Sequence, residues 1–288
     1  MSRSPEPFSA AAEEWERKAQ LCLATARAPH FAPDSDVLAI FARRIDGFLE
    51  ANQRALSALI LGATPELVDA VISRGLHAYV VDRSRLMFDA SASRRRTSAA
   101  RIERPIVADW RDMHMIQTGQ IDLVLGDAAL NNVPRGAMEE VLHELARVTR
   151  PGSLILLRQI VVPDSTVPAY EFANARRLLR AGTIDLNAFD RVLRFYAFNP
   201  LALDTSRHTL DARRVFEEIR ARFEAGELTG PEFEFLMSRY SEVRHTVYPM
   251  AEQLRLLEGL GRCTVDRLPE RVFFRELMAI FAIEVPLS

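Results

Sequence analysis

In this 288-residue chain, short apolar runs repeatedly stop at a glycine or a carboxylate. Leu56–Leu61 stops at Gly62, followed by Ala63-Thr64-Pro65. His77–Val81 stops at Asp82, followed by Arg83. Arg104–Ala108 is followed by Asp109-Trp110, and Ile121–Leu125 by Gly126-Asp127-Ala128. A glycine turn lets backbone approach a ligand closely. A carboxylate 20 positions further on, as Asp82 lies beyond Gly62, can accept hydrogen bonds from ribose hydroxyls. Thr64-Pro65 is a helix start, with threonine able to cap free amides and proline suited to the first helical position. Alone, such a start occurs in any α/β protein. Polar groups repeated at successive strand ends point instead to a site for an adenosine-containing ligand, because open α/β sheets bind at their carboxyl edge.

The apolar periodicity supplies the elements that would position these groups. Residues 8–53 carry helical spacing, with Phe8, Trp15, Ala19 and Cys22 in one stretch and Val37, Ile40, Phe41, Ile45 and Phe48 in a second. Asp34 is placed to cap the second helix. From Leu56 the elements alternate: strand Leu56–Leu61, helix Pro65–Ser73, strand His77–Val81, a polar arginine-rich connection, strand Arg104–Ala108, strand Ile121–Leu125, helix Arg135–Val148, strand Ser153–Val162. Strands separated by helices imply parallel crossovers and a doubly wound sheet. From Asp164 to about Tyr240 the spacing of Val215, Ile219 and Phe223 reads as a helical insertion. A helix at Met250–Leu260 and strands near Cys263–Arg267 and Leu277–Val285 then complete a seven-stranded sheet. The expected organisation is an N-terminal helical segment (1–53), a Rossmann-like cofactor core (54–163), a helical insertion over the acceptor side (164–240) and a C-terminal completion of the sheet (241–288).

Composition narrows the chemistry. Hydrophobic residues at 48% and charged residues at 26% are ordinary for a globular protein, and the formal net charge of −2 gives no reason to expect a nucleic-acid partner. Lys18 is the only lysine, so a mechanism that needs a lysine within the sheet is excluded. Cys22 and Cys263 lack metal-ligand spacing, and no metal site is expected. There is no apolar run long enough for a bilayer and no basic-then-apolar leader pattern, so a cytoplasmic protein without a membrane partner is expected.

With these motifs in this order, the chain resembles the class I S-adenosylmethionine-dependent methyltransferases, in particular a subgroup whose first motif is Gly-x-Thr-Pro-Glu-Leu. Ala58–Leu67 is similar to that motif and Val80-Val81-Asp82-Arg83-Ser84 to the second. Val107-Ala108-Asp109-Trp110 is similar to the adenine turn, Ile121–Ala128 to the fourth motif, and Leu145–Ser153 to the helix-to-strand turn written L-x-x-x-L-x-P-G-G. Gly62 is a single glycine where many relatives have two or three, and Arg150 and Ser153 also depart from the pattern. The resemblance implies S-adenosyl-L-methionine as cofactor, held by Gly62, Ala63, Thr64, Pro65, Asp82, Arg83, Met87, Asp109, Trp110, Gly126, Asp127 and Ala128. Met87 would lie near the adenine and Asp109 would meet its amino group.

It further implies in-line transfer of a sulfonium methyl, a reaction that gains most from alignment, so a dedicated catalytic residue is optional. Where the acceptor needs deprotonation, His245 and Tyr248 are the candidate bases, with His208 a weaker one, while His143, within the 135–148 helix, reads as structural. For each, simple packing or solvent exposure is the bland alternative. The same holds for the aromatic run Phe189, Phe195, Tyr196 and Phe198, which reads as core or as an acceptor pocket. Arg94-Arg95-Arg96 reads as a solvated turn.

Two other functions compete. A nicotinamide-dependent oxidoreductase would need the three-glycine fingerprint and, in its short-chain form, a Tyr-x-x-x-Lys pair, and both are missing. A methyltransferase-fold protein that binds cofactor or a partner without turnover remains the alternative. Base methylation is disfavoured because Asp127-Ala128-Ala129-Leu130 stands where an Asn/Asp-Pro-Pro-aromatic signature would. The expected partner is a small or medium organic acceptor. Oligomeric state is left open, a homodimer among the options.

Overall fold

The computed structural model describes residues 16–17, 19–20, 23, 32–52, 56–96, 103–240 and 242–287. Most of the first helical stretch, including Phe8, Trp15, Lys18 and Cys22, lies outside the described residues. The first full helix, α1 (Ser35–Glu50), starts where Asp34 accepts the Asp36 and Val37 amides, and it buries Val37, Ile40, Phe41 and Ile45 along one face.

The sheet follows from near-continuous apolar strands that are covered on both faces. Strands β1 (Ser57–Leu61), β2 (His77–Asp82), β3 (Glu103–Val107), β4 (Ile121–Asp127) and β5 (Thr149–Val162) are parallel. They are joined by α2 (Pro65–Ile72), α3 (Arg85–Ala92) and α4 (Met138–Val148). β11 (Met278–Glu284) runs antiparallel to β5, and β10 (Arg262–Arg267) antiparallel to β11, giving the order β10-β11-β5-β4-β1-β2-β3. This is the Rossmann-like class I methyltransferase fold. The order reverses between β1 and β4, and the crevice at that switch point is where such sheets place a ligand.

Side-chain alternation divides the core into two layers. Ala58 and Ile60 face one layer with α1, α2, α3 and the insertion, while Leu59 and Leu61 face the other with α4. Fully burying one such aliphatic or aromatic side chain contributes about 1.5–3 kcal/mol, so both layers hold the edge of the sheet firmly.

Three details differ from the sequence expectation. The arginine-rich connection after β2 contains helix α3, capped by Ser84, which buries Met87, Phe88 and Ala90. Strand β5 begins at Thr149 rather than Ser153, and its register against β4 shifts between Ile121 and Leu123. Gly152, at φ +78°, turns the chain there, and the regular ladder resumes at Leu154. The segment between β5 and the last helix contains α5 (Phe172–Arg180), α6 (Leu186–Val192), α7 (Ala212–Glu224) and α8 (Gly230–Met237). It also contributes the short strands β6 (Leu203–Asp204) and β7 (Thr209–Asp211), which form a small sheet with β8 (Arg244–Thr246). β9 (Tyr248–Pro249) then pairs with the end of β5 ahead of α9 (Met250–Leu257). No helix among the described residues is long and apolar enough to cross a membrane.

Candidate functional site

The crevice is built on Gly62. Its φ of +88° is left-handed, a conformation glycine adopts without the Cβ clash other residues suffer. A Cβ at this position would lie 3.7 Å from Trp110 Cζ2 and 3.8 Å from Asp82 Oδ2, so the missing side chain leaves an open cradle beside the indole and the carboxylate. The Gly62 amide and the Trp110 indole N–H both donate to the Val81 carbonyl, each at 2.8 Å. These bonds tie the first and third strand-end loops to β2.

Asp82 accepts one backbone amide on each oxygen: Ala63 N–H at 3.0 Å on Oδ2 and Ser84 N–H at 2.9 Å on Oδ1. Burial pushes this carboxyl above its usual range, and the backbone amides of Ser84, Ala63 and Arg83 pull it partly back. A carboxylate offers about four acceptor positions, so capacity remains for ribose hydroxyls. The open cradle and this residual capacity fit an adenosine group. Thr64 stands at the N-cap of α2, but its side chain makes no capping bond. Pro65 packs into the core.

At the next strand end, Asp109 is held by two guanidinium groups. Arg83 donates to Oδ2, and Arg111 donates its amide to Oδ1 and its side chain to Oδ2, each at 2.9 Å. Burial and the neighbouring charge of Arg111 lower Arg83, while Asp82 opposes them. Ser84, which caps α3 through the Met87 amide, donates to Glu16 Oε1 at 2.8 Å. Glu16 thus reaches the rim of the crevice. Met87 itself is buried in the core.

The end of β4 is organised differently. Gly126 is closely packed: a Cβ there would stand 2.8 Å from Leu157 Cδ2 and 3.2 Å from Ala129 Cβ, so a larger residue would have to displace its neighbours. Asp127 is engaged by Arg158 of β5, with side chains 5% and 1% exposed. Burial raises the Asp127 carboxyl and the guanidinium opposes it. Ala128 follows at φ +50° and donates its amide to the Arg158 carbonyl at 2.8 Å. Asn131 is fully engaged: its amide donates to the carbonyls of Ile160 (3.0 Å) and Thr246 (2.8 Å), and its oxygen accepts from Ile160 N–H (2.9 Å). Thr246 Oγ1 donates to the Val133 carbonyl at 2.6 Å. Segment 244–249 is thereby fastened beyond the end of β4.

The two candidate bases belong to that fastened segment. His245 is buried, with its ring 5.9 Å from Phe195 inside the insertion packing. Tyr248 is paired with Val161 and buried 4.8 Å from the His208 ring, and burial raises its phenol. His208 Nε2 in turn lies 3.1 Å from Glu252 Oε1. His143 is exposed on α4. Phe189, Phe195 and Phe198 are buried core residues, and Tyr196 Oη accepts the Val167 amide at 2.7 Å. The arginine run is more than a solvated turn: Arg94 donates to Glu66 Oε1 at 2.8 Å. An open cleft of about 530 Å³ lies elsewhere, at the start of α4 and the turn before β7, lined by Arg135, Gly136, Glu139, Arg207 and Thr209.

Sequence reasoning missed Glu16, Arg111, Arg158 and Arg191. For Arg158 there was a signal, a charge inside an otherwise apolar strand. Arg111 acts two residues from its partner Asp109, whereas Glu16 and Arg191 become meaningful only when distant segments meet.

Residues 59–157 match the family described as a methyltransferase domain. No curated protein matches the chain. Three solved structures share the fold over nearly the full length. One is 1,6-didemethyltoxoflavin-N1-methyltransferase of Burkholderia thailandensis, crystallised with 1,6-didemethyltoxoflavin and S-adenosylhomocysteine. It is 9% identical with a TM-score of 0.56, covering 99% of this chain and 93% of that one. Another is a DhpI–SAM–HEP complex, 15% identical with a TM-score of 0.54, covering 98% and 99%. A third, from Rhodobacter sphaeroides, is provisionally described as a Zn-dependent alcohol dehydrogenase. It is 17% identical with a TM-score of 0.58, covering 96% and 98%. At these identities the likeness is one of fold. The first of these neighbours holds S-adenosylhomocysteine and the second is a complex with SAM, while the matched segment of this chain carries the methyltransferase-domain description.

Proposed function

We propose that this chain is an S-adenosylmethionine-dependent methyltransferase acting on a small or medium organic acceptor, largely by positioning. The observation that carries the reading is the cradle at Gly62, bounded by Trp110 and the half-buried carboxylate of Asp82. In this reading residues 54–163 hold the cofactor, 164–240 cover the acceptor, 241–288 complete the sheet, and 1–53 contribute helices such as α1.

When bound, the cofactor supplies a sulfonium methyl for in-line displacement by the acceptor. Asp82 would orient the ribose through its remaining acceptor capacity, and the Trp110 indole would bound the nucleoside. Asp109, already flanked by Arg83 and Arg111, would present a fixed oxygen to the adenine amino group. Gly62, Ala63, Thr64 and Pro65 would bring backbone against the cofactor, with Gly126, Asp127 and Ala128 at the methionine end. His245 and Tyr248 serve this reading better as supports of the acceptor wall than as bases, because both are packed against other rings. The cysteine usage supports a reducing, cytoplasmic setting.

Calorimetric titration tests the first step. S-adenosylhomocysteine should bind the wild type, and Asp82→Ala should abolish that binding. No binding to the wild type at millimolar ligand would overturn the proposal. A second reading, cofactor binding without turnover, is favoured by the packed state of both candidate bases. Binding that persists while every phenol, thiol and amine acceptor offered fails to be methylated would select it.

A further inference from the structure

Arg191, on α6 of the insertion, is a buried cation whose acidic neighbours are already engaged. The residue is 9% exposed, and its guanidinium lies 4.2 Å over the Phe274 ring, which fixes the plane of the fork. Among the described residues its Nε has no hydrogen-bond partner. Asp34 forms only a long ion pair with the guanidinium, Oδ2 lying 3.8 Å from Nη1 and beyond hydrogen-bond range, while Asp34 Oδ1 caps α1. Asp190 accepts from Arg194 at 2.7 Å and lies 3.5 Å from Arg239, while Asp127 accepts from Arg158. Phe274, under the Arg191 guanidinium, lies in the loop that leads into Met278, which pairs with Ile160 near the carboxyl end of β5 and whose sulfur lies 3.8 Å from Arg158 Nη1, so Arg191 is set toward that end of the sheet. Burial first and then the like charge of Arg158 push its guanidinium down, against the pull of Asp34, Asp190 and Asp127, and an arriving anion would oppose the same shift.

A planar arginine fork with a buried, unused Nε–H matches the two oxygens of a carboxylate. We propose that Arg191 reads a carboxylate on the methyl acceptor, so that the substrate class is a carboxylate-bearing small molecule. The proposal rests on the cofactor reading above. It assigns the anion to the acceptor because Arg191 is carried by the insertion, whereas Gly62, Asp82 and Asp109 stand on the loops that end β1, β2 and β3.

The side-chain Nε–Hε resonance of Arg191 in ¹⁵N-labelled protein tests this directly. It is assigned by its disappearance in Arg191→Lys and, independently, by correlation to the backbone in the wild type. Sodium acetate titrated into protein saturated with S-adenosylhomocysteine should move the resonance saturably, and sodium chloride at equal ionic strength should not. S-adenosylhomocysteine and 5′-methylthioadenosine, which lacks the amino-acid part, should leave it equally unmoved. An absent acetate response overturns the proposal. A response to S-adenosylhomocysteine but not to 5′-methylthioadenosine also overturns it, giving Arg191 to the cofactor's own carboxylate. If neither nucleoside moves any resonance, the cofactor reading fails instead, and the acetate titration still decides the anion site.

Discussion

Asp127 and Arg158 stand directly opposite each other on β4 and β5 and form an ion pair with both side chains buried. The acid that closes β4 is therefore matched by a charge on the neighbouring strand before any ligand arrives. Removing one partner leaves the other as an uncompensated buried charge, at a cost of about 3–5 kcal/mol, whereas removing both is far milder. Asp127→Leu and Arg158→Met should each destabilise strongly, and the double variant should recover much of the loss. Urea unfolding of all four proteins measures the coupling. Strictly additive losses would count against a buried pair that acts as a unit.

Asp82 should show a trade between binding and stability. Burial raises its folded carboxyl above the unfolded value, so the stability it contributes is full at low pH and is lost as pH rises through the raised value. Asp82→Asn removes that dependence, though it gives up one amide acceptor. The melting temperature of the variant relative to wild type should therefore climb as pH rises through and above the ordinary carboxylate range, while S-adenosylhomocysteine binding is lost. A relative stability that falls over this range would show that the amide bonds outweigh burial.

Gly62→Ala isolates the backbone effect. The new methyl would meet its neighbours at ordinary contact distances of 3.7 and 3.8 Å, so the expected stability loss of about 1–2 kcal/mol comes from the left-handed φ. The same methyl fills the cradle. Affinity for S-adenosylhomocysteine should fall by about tenfold or more, equivalent to about 1.4 kcal/mol. Unchanged affinity in calorimetry would remove Gly62 from the binding site.

Asn131→Ala would leave the Ile160 N–H without its side-chain acceptor and the Ile160 and Thr246 carbonyls without their amide donor. Each buried polar group left unsatisfied costs about 1–3 kcal/mol. Amide exchange should accelerate over 244–249 and the end of β5 more than over β1 or β2. Uniform acceleration would mean that Asn131 supports the whole domain rather than this segment.

Much of the sheet was legible because a parallel strand buried on both faces must be an almost unbroken apolar run, as Ala58–Leu61 and Ile121–Leu125 are. The strands β6, β7 and β8 were not legible, since two or three residues are too few to carry a period. Helix α3 was hidden because its two turns are too short to repeat an apolar period, with Leu86, Met87, Phe88 and Ala90 clustered between charged residues.

Along the chain itself, residue type and spacing determined that a glycine turn and carboxylates would stand at the ends of successive strands, because crossover length and side-chain alternation are local properties. Only the tertiary structure decided what each group meets. It placed Trp110 against Gly62, divided Asp82 between two amides, and put Asp109 between two arginines. It also spent the charge of Asp127 on Arg158 and left Arg191 Nε buried without a hydrogen-bond partner among the described residues. Most of these outcomes depend on segments far apart in sequence packing at distances of a few ångströms, where burial and pairing rather than residue type fix what a charge can do.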